Sequence, residues 1–411
     1  MLRRLVATGF KSLRDVTIEF PKLAVLFGPN AAGKSNILDA VQALSRIAGS
    51  RTLADALSEP IRGYPQESFA FPEGGLSGLL QLQEAEFRLE ANVEVGKERL
   101  LYKIDVGIQP RSGSLSVRDE YLASLKRSGE PRGNAQIEQV GGELRLRRKR
   151  KPANPRREEL GLNYALLSDL RLAGPEYRAV EKCRHELSTW RTYYLDPRVA
   201  MRSARPPKEV SDIGVQGEDI APFLFRLKSE RPKHFDAVRR TLRSLVPSVE
   251  DLSVELDDRR ASLDIFIRQD GVNFSSRIVS EGTLRVLALC CIAVNPWVGA
   301  LIAFEEPENG VHPRRLELIA KVLLSLAVDQ GRQVIVTTHS PLLCDRLLRA
   351  PRQNPEDVAL FSVRRVGQAT VVSQFQHPGD LFADDEIRKA LAEVTEDGLF
   401  ESLLLRGLID E

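Results

Sequence analysis

The feature that most constrains the fold of this chain is a glycine-rich turn set between a short apolar run and a stretch with helical spacing. Leu23, Ala24, Val25, Leu26 and Phe27 are five consecutive apolar residues, the pattern of a strand covered on both faces. Gly28-Pro29-Asn30-Ala31-Ala32-Gly33-Lys34-Ser35 follows at once, and Ile37, Leu38, Val41 and Leu44 then recur on one helix face. The octapeptide fits G-x-x-x-x-G-K-[ST], in which backbone N–H groups curl around phosphate oxygens, lysine adds positive charge and a hydroxyl serves Mg²⁺. A side chain at Gly33 would obstruct that cradle. Strand, loop and helix in this order predict a nucleotide-phosphate site over 28–36, ending at Asn36, with Ser35 as a metal ligand.

A second apolar strand ends abruptly in acids at Ile302-Ala303-Phe304-Glu305-Glu306-Pro307-Glu308. In a parallel sheet the carboxyl ends of neighbouring strands open onto one crevice, so these carboxylates are expected to face the glycine loop. Glu305 is a candidate for holding Mg²⁺ through water, and Glu306 for orienting and deprotonating an attacking water. Solvated loop acids are the alternative, and the sharp switch from apolar residues to acids argues against it. Glu308 reads as a cap of the next helix. His339, in Thr337-Thr338-His339-Ser340-Pro341, ends another apolar strand and brings an imidazole that could hydrogen-bond a γ-phosphate. A lone histidine at a strand end is more often structural, so its company carries the functional reading. His312 reads as a turn residue. Ser280-Glu281-Gly282-Thr283 opens an apolar helix; Ser280 and Gly282 there can form an anion site, although an ordinary N-cap looks the same.

The fold class is α/β, a mostly parallel sheet with helices on its faces. Residues 1–158 are expected to form the first part of a head with a strand-rich lobe, because apolar alternation returns over 84–109 and 136–147 reads as a hairpin turning at Gly141-Gly142. Residues 159–255 read as a mainly helical insertion, broken near Pro197 and at Pro206-Pro207. Residues 256–411 form the rest of the head, alternating strands (263–267, 300–304, 334–336) with helices (284–294, 316–326) and ending on strands at 358–363 and 369–375.

Composition narrows the partners. Lys plus Arg total 59 against 57 for Asp plus Glu, a net charge of +2 over 411 residues, so any pull on nucleic acid comes from a local patch. The densest run is Arg145, Arg147, Arg148, Lys149, Arg150 and Lys151. Because Arg145 and Arg147 alternate with Leu144 and Leu146, a solvated outer face accounts for the run, and DNA contact is the alternative. Trp190, Tyr193 and Tyr194 read as core rather than stacking platforms. The four cysteines form no C-x-x-C pair, which predicts a reduced cytoplasmic protein with neither disulfides nor a zinc site. The amino terminus lacks a signal-peptide core, and Arg285 and Asn295-Pro296 interrupt the most apolar segment, so no membrane span is expected.

Taken in order, the four motifs resemble the Walker A, signature, Walker B and H-loop of ABC-type ATPases. More narrowly, Phe10-Lys11-Ser12-Leu13, the glycine loop with Asn36, Glu-Glu-Pro-Glu-Asn-Gly-Val-His-Pro and Thr-Thr-His-Ser-Pro resemble soluble ATPases of the OLD, RecF and SMC group. The resemblance covers about the first 45 residues and 275–345. It implies an ABC-ATPase head of the P-loop NTPase fold, ATP and Mg²⁺ as ligands, and a homodimer in which Ser280 and Gly282 of one copy complete the other's site. Two positions depart from the pattern: Glu305 stands where many relatives carry Asp, and the signature reads Ser-Glu-Gly-Thr. No Q-loop glutamine is assigned. The absence of heptads implies no long coiled-coil arm, and the 70 residues after Pro341 leave little room for a TOPRIM nuclease domain.

Two functions compete on these grounds. One is a nucleotide-switched scaffold in bacterial antiviral defence or DNA maintenance, with a separate effector protein. The other is a RecF-like repair ATPase that binds DNA itself; a transporter subunit ranks below both.

Overall fold

The computed structural model describes residues 1–151, 153–297, 299–350 and 354–375, so the end of the 256–411 segment lies outside the described residues. In chain order the elements are β1 (Leu2–Phe10), β2 (Leu13–Glu19), β3 (Leu23–Phe27), α1 (Lys34–Gly49), the short helices α2 (Leu53–Ala56) and α3 (Gly75–Gln81), β4 (Ala85–Val95), β5 (Glu98–Gln109), β6 (Ser114–Leu125), β7 (Ile137–Val140), β8 (Glu143–Leu146) and β9 (Arg156–Glu159). There follow α4 (Arg178–Ser188), β10 (Arg191–Tyr193), α5 (Ile220–Glu230), α6 (Pro232–Leu245), β11 (Val249–Asp257), β12 (Ser262–Gln269), β13 (Val272–Ser275), α7 (Glu281–Val294), β14 (Leu301–Glu305), α8 (Leu316–Leu324), β15 (Gln333–Thr338), α9 (Pro341–Arg349), β16 (Val358–Val366) and β17 (Ala369–Phe375). The chain divides into two compact units, the first made of Met1–Pro21, Gly28–Trp190 and Phe361–Phe375, the second of Lys22–Phe27 and Arg191–Leu360 among the described residues.

The first unit is built on an eight-stranded antiparallel sheet in the order β2-β1-β4-β5-β6-β7-β8-β9. Its register follows the period of two: Phe87, Leu89, Ala91 and Val93 of β4 are buried, while the residues between them are more exposed. Phe10 and Phe69 both pack on Phe87, at centroid distances of 5.2 and 4.9 Å. The hairpin expected at 136–147 is β7–β8, with Val140 opposite Glu143 and Leu144 and Leu146 buried. Helix α1, whose apolar face includes Ile37, Leu38, Val41 and Leu44, packs against α4. Among the acids buried in this unit, Glu120 of β6 accepts from the Leu166 and Leu167 amides at 2.7 and 2.8 Å and from the Tyr102 hydroxyl at 3.1 Å. Burial pushes its carboxyl up to about 7.

The second unit holds a sheet ordered β10-β14-β15-β3-β16, parallel from β10 to β3, to which β16 contributes its first three residues. Every residue of β3 and β15 is buried, as strands covered on both faces require. The register sets the carboxyl edge: Phe27 pairs with Thr338, and Thr337 with Glu305. A three-stranded antiparallel sheet, β11-β12-β13, lies in the same unit. Within 159–255 the chain forms α4, α5 and α6, and also most of β11 and all of β10, which pairs with β14 through Tyr193 and Phe304, their rings stacked at 5.7 Å. Trp190 and Tyr193 are core residues and Tyr194 is half-buried. All four cysteines are buried and free. Among the described residues no helix is long and apolar enough to cross a membrane.

Candidate functional site

The glycine loop belongs to the first unit, where its shape is held by side chains distant in sequence. Gly33 has φ +103°, and a Cβ there would lie 2.0 Å from Thr370 Oγ1 and 2.9 Å from Ser12 Oγ. No other residue fits this position without moving β17. A continuous hydrogen-bond chain runs beneath it. Thr370 Oγ1 donates to the Ala32 carbonyl at 3.0 Å, which leaves Ser12 Oγ to donate to Thr370 at 2.6 Å and to accept from Asn36 Nδ2 at 2.7 Å. The Thr370 amide in turn donates to Ser12 O at 2.8 Å.

Lys34, nearly buried, turns its ammonium back over the loop and donates to the carbonyls of Gly28 and Pro29 at 2.6 and 2.8 Å. Pro29, Asn30 and Ala31 are exposed, Ala32 is buried, and Ser35 and Asn36 are half-buried in the first turn of α1. That turn carries neither a side-chain cap nor an acid, so its amides and dipole present a positive end. Asp39, one turn further, is fully buried and held by Lys11 at 2.6 Å and Arg62 at 2.9 Å.

The acidic motif and His339 meet in the second unit. Glu305 is the half-buried last residue of β14. Glu306 adopts φ +44°, a left-handed conformation that is strained for a side-chain-bearing residue. Its amide donates to Thr337 O at 3.0 Å, and its carboxylate lies 3.1 Å from His339 Nδ1. Glu308 does not cap a helix, as the sequence suggested. It is 5% exposed, receives the Thr338 hydroxyl proton, and is pushed up by burial, while α8 begins only at Leu316. The tight turn over 306–311 folds Glu308 back against the end of β15 before the helix can start. Arg285 of α7 is half-buried with Glu308, Glu281 and Glu306 about it, and burial lowers its guanidinium from the usual value. His312 is an exposed turn residue whose carbonyl accepts from Arg315.

Ser280 is the exposed N-cap of α7, its hydroxyl accepting from the Thr283 amide at 3.2 Å. Gly282 has a reason of its own to lack a side chain, since a Cβ there would come within 2.6 Å of Gly310 O in the turn after the acids. The oxygen donors at these motifs, a serine hydroxyl and carboxylates, suit a hard cation such as Mg²⁺, and no cluster of three His, Cys, Asp or Glu that could hold a metal occurs among the described residues. Thr370, Ser12 and Thr338 are supporting residues to which sequence reasoning gave no role; Ser12 and Thr338 had a signal, their places in Phe10-Lys11-Ser12-Leu13 and Thr337-Thr338-His339-Ser340-Pro341, and Thr370 had none.

Two solved structures share this fold. An SMC head bound to the C-terminal winged-helix domain of ScpA aligns with a TM-score of 0.54 at 15% identity, over 91% of this chain and 98% of that one. The Pyrococcus furiosus Smc head with an extended coiled coil, bound to the C-terminal domain of ScpA, aligns at 0.51 and 13% identity, over 94% and 99%. Comparison with curated proteins gives no match. The family described as "AAA domain, putative AbiEii toxin, Type IV TA system" matches residues 23–345, from the strand before the glycine loop to the helix after His339. The chain thus belongs to that family of AAA domains, and its head has the fold of the ABC-type P-loop ATPases.

Proposed function

We propose that the chain binds Mg-ATP at residues 28–36 and hydrolyses it, and that the cycle switches a homodimer between states that a separate effector protein distinguishes. The observation that carries the hydrolytic part is Glu306. Its backbone is strained, its amide is tied to β15 and its carboxylate is oriented by His339, as expected of a base held to accept a proton from water. Lys34 and the uncapped first turn of α1 supply positive charge for the phosphates, and Ser35 with Glu305 would hold Mg²⁺, which when bound neutralises charge on the phosphate oxygens. His339 then senses the γ-phosphate through its contact with Glu306.

The wider role rests on the family and the fold. The family description names a type IV toxin–antitoxin system, which favours defence over general metabolism. Both aligned SMC heads are bound to a domain of a separate protein, ScpA, which favours an effector that docks on the head. In the sandwich reading, Ser280 and Gly282 of one copy reach the nucleotide of the other, and the exposed position of Ser280 at the start of α7 supports it.

The test is paired. Glu306→Gln should bind ATP like the wild type and lose turnover by about 10²–10⁴-fold, whereas Lys34→Ala should lose tight binding itself. Steady-state phosphate release and nucleotide titration read the two effects apart. Wild-type turnover in Glu306→Gln would sink the base assignment.

A further inference from the structure

The first unit contains a concave site outside the nucleotide motifs. Its volume is about 1270 Å³, and it opens among four segments: the β4–β5 turn, the stretch from the end of β6 to β7, residues 147–149 after β8, and the first turn of α4. Nine basic side chains line it against three acidic ones, a local excess of six positive charges on a chain whose total is +2. Two of the acids are already matched by ion pairs, Glu94 with Arg3 and Arg99 at 2.5 and 2.7 Å and Glu98 with Lys182 at 2.8 Å. Lys97, Arg127, Arg132, Arg148, Lys149 and Arg178 have no side-chain partner among the described residues. Arg148 goes further, for its Nε is a buried donor without an acceptor.

Like charges gathered on a concave wall repel one another and focus field lines outward, so the empty site favours a polyanion. Four of the six unmatched cations are arginines, whose planar forks fit phosphate oxygens two at a time. The amino end of α4 adds its dipole, uncapped by any side chain.

Size separates a polymer from a metabolite, because small-molecule pockets span roughly 300–1,000 Å³ and this one is larger. Tyr177, half-buried at its wall, offers a ring for base stacking, and Asn134 and Gln136 offer amides for base edges. A duplex, stiff over roughly 150 base pairs, cannot bend into such a recess or turn its bases toward it.

We propose that this cavity binds single-stranded nucleic acid, independently of the glycine loop. The run at 147–149 takes part in it rather than forming only a solvated face. Arg147 itself is committed elsewhere, half-buried and paired with Glu138 at 2.6 Å.

The experiment uses the full chain without nucleotide and a labelled oligonucleotide of about twelve residues, as DNA, as RNA and as the DNA duplex, titrated by fluorescence anisotropy between 50 and 200 mM salt. For single strands each neutralised phosphate contributes about 0.7 to the slope of log affinity against log salt, so six cations give a slope of about 4. Arg127→Glu with Arg132→Glu, both on an exposed loop, should lower the slope to about 3 or less and weaken binding at least roughly tenfold at low salt, with unchanged circular dichroism. Lys34→Ala should leave it intact. Preference for RNA or DNA identifies the source of the strand, and either supports the cavity. No single-strand binding at 50 mM salt, equal affinity for the duplex, displacement by tripolyphosphate as readily as by oligonucleotide, or binding unchanged in the double variant would each overturn the proposal.

Discussion

Replacing Gly33 by Ala tests whether the glycine loop is shaped by β17 rather than by its own sequence. Two costs add. A side-chain-bearing residue at φ +103° is destabilised by about 1–2 kcal/mol relative to glycine. The new Cβ, placed 2.0 Å from Thr370 Oγ1, also displaces that hydroxyl from the Ala32 carbonyl and from Ser12, and disrupting a buried hydrogen-bonded pair adds about 1–2 kcal/mol. The expected total is about 3 kcal/mol. In a Thr370→Ala background the colliding oxygen is gone, leaving the carbon at 3.1 Å and the Ser12 hydroxyl at 2.9 Å, which is free to turn away once its Thr370 partner is removed, so the same substitution should cost about 1–2 kcal/mol. The double-mutant cycle therefore has a coupling of at least about 1 kcal/mol. Urea unfolding of the four proteins, followed by circular dichroism, measures it. Equal costs of Gly33→Ala in both backgrounds would refute the argument that Thr370 imposes the glycine, and a total below about 1 kcal/mol would refute the backbone part as well.

Two other perturbations follow from the geometry. Ser280→Arg should block ATP-driven dimerisation while leaving nucleotide binding to single heads nearly unchanged; light scattering reads the first and nucleotide titration the second, and an active monomer would remove the sandwich. Glu120, pushed up from 4.5 to about 7 by burial, binds its proton more tightly in the native state than in the unfolded chain. Its contribution is thus present at low pH and lost as pH rises from about 4.5 through about 7, by about 3 kcal/mol. Glu120→Gln cannot titrate, so the stability of the wild type relative to this variant should fall by about 2.5 kcal/mol between pH 5 and 8, and a constant difference would show that the carboxyl stays ionised.

The parts of the fold that were legible are those whose signal is local. Residues 23–44 announce strand, loop and helix within one stretch, and the apolar-to-acid switch at Glu305 marks a strand end without reference to any partner. What was not legible depends on contacts that local patterns do not encode. Thr370 sits 338 residues from the Ala32 carbonyl it donates to, in a strand whose sequence is ordinary. The three residues of β10, Arg191-Thr192-Tyr193, are too few to show a period, and they form a strand because β14 lies beside them. Glu308 looked like a helix cap because proximity to a helix is visible in sequence, whereas burial against Thr338 is not. The basic run at 145–151 was visible as charge, but four of the six unmatched cations of the cavity, Lys97, Arg127, Arg132 and Arg178, come from elsewhere in the chain.

The same geometry separates residues that the fold requires from residues whose chemistry is free for a ligand. Gly33 and Gly282 each have a neighbour, Thr370 Oγ1 and Gly310 O, that alone excludes a side chain, so their identity is weak support for a phosphate contact. Asp39 and Glu120 are buried acids fully engaged by Lys11 and Arg62, and by two amides and a tyrosine. Glu306 is the opposite case. No packing demand calls for a carboxylate at φ +44°, a position that glycine would occupy without strain, and the side chain is 23% exposed and paired with His339. A residue that is strained, accessible and aimed at a titratable partner is a candidate for a chemical role rather than a packing one. On that ground Glu306 and His339 carry more of the functional reading than the glycines of either motif.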